Sequence, residues 1–354
     1  MKIEEVLHYA VDHGASDIFV VAGLPLTFKI QGAQERAEAE GKLSPAQTEE
    51  FAREMYRLAR REPAAADRTA TDDDFSVSIS GIGRFRVNLF RQRDSLAAVV
   101  RVIRFGLPTA EESMIPPEVM RVAGLRKGIV LVTGQAGAGK STTLACIINE
   151  INRTRSGHIL TLEDPVEYIH RHDKCIVSQR EIHVDCPSYV TALRSALRES
   201  PDVILLGEMR DKETMEVAMT AAETGQLLFS SLHTTGAANT IDRIIDSFPP
   251  NQQAQIRLQL SMVLQSVISQ QLVPDVNGRN IPVFEIMHMN LAIRNLIRES
   301  KTHQLDSAIA SGAAQGMRTM DMSLLKLYQE KRITKETLLS RCTNYDAVSK
   351  RVGI

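Results

Sequence analysis

Residues 128–141 read GIVLVTGQAGAGKS, and this stretch decides the architecture of most of the chain. Its first part is apolar, as expected of a strand covered on both faces of a parallel sheet. Gly134, Gln135, Ala136, Gly137, Ala138, Gly139, Lys140 and Ser141 then fit the pattern G-x-x-x-x-G-K-[ST]. The run that follows, STTLACIINEINR, has helical character. Strand, glycine-rich turn and helix in that order make a cradle for phosphates. Glycines let the backbone wrap the phosphates, and the free N–H groups of the new helix, Thr142 included, point at them. Lys140 supplies a point charge to the β- and γ-phosphates, and the Ser141 hydroxyl reaches Mg²⁺. The ligands expected are therefore ATP and Mg²⁺.

Outward from this loop, short apolar strands alternate with helices. The strand candidates HILTLE, DVILLG and QLLFSSLHTT follow GIVLVT, with helices at Lys140–Arg153, Tyr189–Glu199 and Lys212–Glu223 between them. That alternation predicts an α/β domain with a largely parallel sheet. After about residue 236 the pattern reads as almost all helical, with amphipathic runs at Ile241–Phe248, Gln253–Leu272 and Leu291–Glu299.

The first hundred residues read differently, as a small mixed α+β domain. Ile3, Val6, Leu7 and Ala10 mark one face of a short helix that stops at Gly14. Ser44 and Pro45 open a second helix as N-cap and first helical residue, running to about Arg61. Strands are expected at Ile18–Val21, Leu26–Ile30, Phe75–Ile79, Arg84–Arg93 and Leu96–Arg104, and a loop is expected from Glu62. Pro108, Pro116 and Pro117 place a linker at 106–117, which gives domains at 1–105 and 118–354.

A phosphate loop binds; hydrolysis needs groups for the metal and the attacking water, and these converge at the carboxyl ends of parallel strands. HILTLEDPVEY ends its strand at Glu163–Asp164, and PDVILLGEMRD ends its strand at Glu208. A carboxylate just past an apolar strand is costly without a partner or a task. Glu163 is assigned to the attacking water and Glu208 to Mg²⁺, with Ser141 as the second metal contact. The reverse assignment, or metal binding by both, fits the same residues, and Glu163 taken alone also reads as an exposed strand-end charge. LLFSSLHTT ends with His233, placed to hydrogen-bond a γ-phosphate and report its presence. His170, His172 and His183 lie in polar loops and read as solvated.

Composition excludes several other classes. The 354 residues carry 42 Lys+Arg against 43 Asp+Glu, so no global positive charge points to nucleic acid or an anionic membrane. With no Trp and 5% aromatic residues there is no evident stacking platform for single strands, which disfavours a nucleic-acid translocase. No apolar run is long enough to cross a bilayer. Cys146, Cys175, Cys186 and Cys342 have no C-x-x-C spacing, so reduced thiols in a cytoplasmic protein are expected.

These segments, in this order, resemble the secretion and pilus ATPase superfamily, and most closely its PilT-like retraction members. Within that resemblance GQAGAGKST is the Walker A loop, ILTLEDPVEYIH the Asp box, DVILLGEMRD the Walker B region and TGQLLFSSLHTT the His box. GASDIFVVAGLPLTFKIQG and GIGRFRVNLFRQR resemble the family's PAS-like domain, which precedes a RecA-like ATPase domain. AIRNLIRE, residues 292–299, resembles the signature associated with retraction. Gln226 stands where the family commonly has an earlier His-box histidine, and Phe19 replaces the histidine of its ASDLH-type motif. The sequence lacks the tetracysteine motif of pilus-extension ATPases and their extra N-terminal domain. Retraction, or an accessory retraction paralogue, is therefore expected rather than extension.

The resemblance implies a homohexameric ring at the cytoplasmic side of the inner membrane, acting on a pilus platform protein. It also implies arginines supplied in trans to the transferred phosphoryl; Arg84, Arg86, Arg101 and Arg104 are the candidates. A ring subunit that binds ATP but depends on an active paralogue is the non-enzymatic alternative.

Overall fold

The computed structural model describes residues 2–30, 32–38, 41–61, 72–79, 81–103 and 106–353. The chain divides into two compact units, residues 1–106 with 167–169 and residues 107–166 with 170–354.

In the first unit α1 (Ile3–Asp12) buries Ile3, Val6, Leu7 and Ala10, the stripe legible in the sequence. Strands β1 (Ala15–Val20), β2 (Thr27–Ile30) and β3 (Ala33–Arg36) precede α2 (Pro45–Leu58). Ser44 caps α2 through the Gln47 N–H while the Gln47 side chain accepts from the Ser44 N–H, satisfying two donors that would otherwise be orphaned. Strands β4 (Asp72–Ile79), β5 (Gly83–Gln92) and β6 (Ser95–Ile103) complete a six-stranded sheet in the order β3-β2-β1-β6-β5-β4. All its pairings are antiparallel. Phe85, Val87 and Leu89 of β5 point into the core shared with both helices, while Arg84, Arg86 and Asn88 take the other face.

The second unit opens with α3 (Pro117–Met120) and β7 (Gly128–Thr133), every residue of which is buried. Then follow α4 (Lys140–Thr154), β8 (Gly157–Glu163), β9 (Cys175–Glu181), α5 (Tyr189–Ala196), β10 (Val203–Leu206), α6 (Lys212–Glu223) and β11 (Leu227–Leu232). Next come α7 (Ala237–Asp246), α8 (Pro250–Val263), β12 (Leu264–Pro274), β13 (Asn280–His288) and α9 (Leu291–Arg298). Helices α10 (Leu305–Ser311), α11 (Met320–Gln329), α12 (Lys335–Arg341) and α13 (Tyr345–Arg351) close the chain. The seven strands run β13-β12-β7-β11-β10-β8-β9, parallel except for β13. Ile129, Leu131, Leu160 and Leu206 pack on one face with α5 to α9; Val130, Val132, Ile159 and Phe229 pack on the other with α4. Burial on both faces is why these strands read as continuous apolar runs.

The expected helix at Gln253–Leu272 is half right. It ends at Val263, and the rest is β12, which lies beside β7. Leu264, Val267, Ile268 and Val273 are buried, so this strand has no alternation to read, and a short buried run is ambiguous between helix and strand by period alone. Strands β3, β9 and β13 were likewise not marked by the sequence pattern. Within the second unit Ile115 belongs to the core under α4, and the Pro108 carbonyl accepts from the Cys146 thiol at 3.1 Å.

Candidate nucleotide site at the strand ends

The loop from Gly134 to Gly139 leaves β7 and enters α4. Gly134 (φ 145) cannot be replaced cheaply, because a Cβ there would stand 2.2 Å from the Gln270 carbonyl oxygen. Gly139 (φ 86) turns the chain into the helix in the left-handed region. Gln135, Ala136 and Gly137 are exposed, and no side chain caps α4, so its first-turn N–H groups face the loop. Lys140 is buried, and its ammonium donates to the Gly134 carbonyl at 2.8 Å and the Gln135 carbonyl at 3.0 Å, holding the charge against the loop. Beside the loop a cleft of about 960 Å³ runs from Gln135–Gly137 past Asn239 and Gln270 to Arg341.

The strand ends bring the predicted carboxylates and histidine to the same edge. Glu163 closes β8, and its Oε1 accepts from the Thr161 hydroxyl at 2.6 Å and the Gln179 amide at 3.3 Å. Glu208 follows β10 and is buried; its Oε2 lies 2.6 Å from Arg210 Nε and 3.4 Å from His233 Nε2. The Arg210 guanidinium is pushed up by its hydrogen bond to Glu208. Tyr189 opens α5, and its hydroxyl stands 2.9 Å from where a Cβ on Gly207 would be. Burial pushes that hydroxyl up, and the charges of Glu208, Asp164 and Glu163 add to the shift.

Among the described residues no group of three or more His, Cys, Asp or Glu side chains gathers to hold a metal. That fits magnesium beside a nucleotide, which takes one or two protein oxygens and completes its shell with phosphate oxygens and water. The Ser141 hydroxyl at the start of α4 and the Glu208 carboxylate, whose two contacts both fall on Oε2, are a suitable donor set.

Sequence reasoning missed Thr161, Gln179, Arg210 and Tyr189 as neighbours of these groups. Arg210, two residues past Glu208, was legible as a nearby cation; Gln179 was not, because β9 itself went unread. One histidine reading is corrected. His172 and His183 are exposed, but His170 is 7% exposed, and burial pushes it down to about 4. Of the arginine candidates, Arg84 donates to Ser78, Arg86 pairs with Asp74 at 2.6 Å, and Arg101 pairs with Asp17 at 3.1 Å, each inside the first unit's sheet. Arg104 lies outside the described residues. In α9 Ile293 and Ile297 are buried, and Arg294 turns back to the Ser261 and Met262 carbonyls at the end of α8.

The sequence profile of the type II/IV secretion system protein family matches residues 1–324. The chain belongs to that family. Within it the chain is 45% identical over 336 residues to the Pseudomonas aeruginosa protein named type IV pilus retractation ATPase PilT, covering 95% of this chain and 96% of that one. It is 39% identical to the type IV pilus ATPase PilU of the same organism, over 96% of this chain and 88% of that one. A crystal structure of the pilus retraction motor PilT with bound ADP superposes with a TM-score of 0.90 at 41% identity, covering 99% of each chain. The mixed α/β architecture is thus that of a secretion-family ATPase. Among the described residues no helix is long and apolar enough to cross a membrane.

Proposed function

We propose that this chain is an ATP-hydrolysing motor that drives retraction of type IV pili, working as a homohexameric ring. The observation that carries the proposal is the meeting of Glu208 and His233, 3.4 Å apart, at the strand edge from which the Gly134–Ser141 loop springs. The 45% identity to a retraction ATPase over nearly the whole of both chains supports the direction of the work. In this reading the second unit is the RecA-like ATPase domain and the first a PAS-like domain. The parallel sheet with its one antiparallel edge strand supports the former, and the antiparallel sheet carrying two helices supports the latter.

Gly134 to Thr142 hold the phosphates, and Lys140 transfers its ammonium from loop carbonyls to phosphate oxygens. Mg²⁺, held by Ser141 and Glu208, supplies charge neutralisation at the phosphates. Glu163, oriented by Thr161 and Gln179, accepts the proton of the attacking water. His233 reads the γ-phosphate while sharing Glu208 with Arg210. Arg84, Arg86, Arg101 and Arg104 remain the candidates for a contribution in trans. Those described would each have to leave a carboxylate or hydroxyl partner to make it. Motion of the chain within 106–117 converts turnover into work on the platform protein, with the ring peripheral to the inner membrane on its cytoplasmic side.

Because one organism carries two such relatives, PilT and PilU, a second reading is an accessory retraction ATPase that acts with another motor. Pilus retraction in cells lacking the gene separates the two. Rescue by wild type and not by Glu208→Ala supports the motor, rescue by both favours the accessory role, and loss of pili altogether contradicts retraction.

A further inference from the structure

A phosphate loop made of glycines is soft, and something must hold its two ends while a charged ligand enters. In this chain one residue touches both, one end through its backbone and the other through its side chain. Gln270 lies on β12, next to β7, and is 3% exposed. Its backbone carbonyl packs against Gly134, 2.2 Å from the position a Cβ would take there. Its amide nitrogen packs against Gly139, 2.8 Å from the corresponding Cβ position. Its carboxamide oxygen accepts from the buried Thr143 hydroxyl, in the first turn of α4, at 2.7 Å. A glutamine therefore grips the loop where it leaves the strand, where it enters the helix, and two residues past the hydroxyl assigned to the metal.

The same hairpin holds the loop that follows His233. Ser269 accepts from the Gly236 N–H at 2.9 Å. Glu285, opposite Ser269 in the β12–β13 register, accepts from the Ala237 N–H at 2.7 Å and the Met320 N–H at 3.2 Å. Both phosphate-facing loops are thus referred to one pair of strands.

We infer that Gln270 is a positioning residue for nucleotide binding, fixing the spacing of Gly134, Gly139 and Thr143 so that the loop N–H groups converge on the phosphates. The inference rests on the reading of this loop as the nucleotide site. Gln270 touches no phosphate itself; it acts through the loop, and its neutral amide matters as well as its shape. A carboxylate in its place would keep the bond to Thr143 but set a negative charge at the helix N-terminus, in competition with the phosphates for the same field.

The test is calorimetric titration of Mg-ADP into the full chain, with melting of the nucleotide-free protein and kcat and KM for ATP measured alongside. Gln270→Ala, Gln270→Glu and Thr143→Val should each weaken ADP binding about tenfold and raise KM similarly, with kcat within about threefold and melting little changed. The Gln270→Ala and Thr143→Val losses should not add, because both break one contact. If Gln270→Ala fails to fold, Gln270→Glu and Thr143→Val decide the matter. ADP affinity within twofold of wild type in folded variants overturns the assignment. A wild-type chain that binds no ADP overturns the nucleotide reading itself, and the role of Gln270 with it.

Discussion

Replacing Tyr189 by Phe should stabilise the protein. The Tyr189 hydroxyl is buried and has no hydrogen-bond partner among the described residues. In the unfolded chain water satisfies it, so folding strips the group of its partners for nothing, at a cost of about 1–3 kcal/mol. The ring packs against the core formed by β8, β10, α5 and α6, and Phe keeps that contact. Removing one oxygen should therefore recover roughly 1 kcal/mol, which for a domain of this size raises the melting temperature by about 2–4 °C. The neighbouring Gly207 sharpens the expectation, since a Cβ there would meet the Tyr189 hydroxyl at 2.9 Å. Gly207→Ala should destabilise the wild type and be partly rescued in the Tyr189→Phe background. Differential scanning calorimetry on the nucleotide-free chain reads both effects. A Tyr189→Phe protein that melts 2 °C or more below wild type would refute the reasoning, because the hydroxyl would then have a partner worth more than its desolvation.

Glu163→Gln should lower kcat by roughly 10² or more while leaving Mg-ADP affinity within a few fold, because it removes the proton acceptor and not the phosphate cradle; equal turnover would exclude Glu163 as the base. His170 is held neutral by burial, down to about 4 from 6.5, so the unfolded chain binds the extra proton between those values. Stability should therefore fall as pH drops from 6.5 towards 4, by about 3 kcal/mol at most, and urea melts of His170→Gln should show a flatter profile over that window. Arg294→Ala should cost about 1 kcal/mol by freeing the carbonyls at the end of α8, with ATP turnover near wild type. A tenfold loss of turnover would show that this arginine serves more than the helix end.

Much of the candidate site was legible because its chemistry is local. A glycine loop between a strand and a helix, and carboxylates just past apolar strands, are short-range patterns, and Gly134–Ser141, Glu163, Glu208 and His233 all fall where those patterns put them. The surroundings of those residues were not legible. Gln179 reaches Glu163 from a strand with little apolar periodicity, and Gln270 reaches Thr143 across 127 residues of sequence. The same limit explains β12, whose burial on both faces erased the alternation that marks a strand.

The sequence by itself determined the phosphate loop, the parallel α/β core around it, the capped helix at Ser44 and the identity of the acids at the strand ends. Each depends on neighbours within a few residues, or on an apolar period that burial imposes along one element. Only the tertiary structure decided which strand lies beside β7, which side chains orient Glu163 and Glu208, that His170 is buried, and that Arg294 closes a helix. Those outcomes depend on the packing of segments far apart in the chain, and a side chain's partner there is chosen by strand order, which no local pattern encodes.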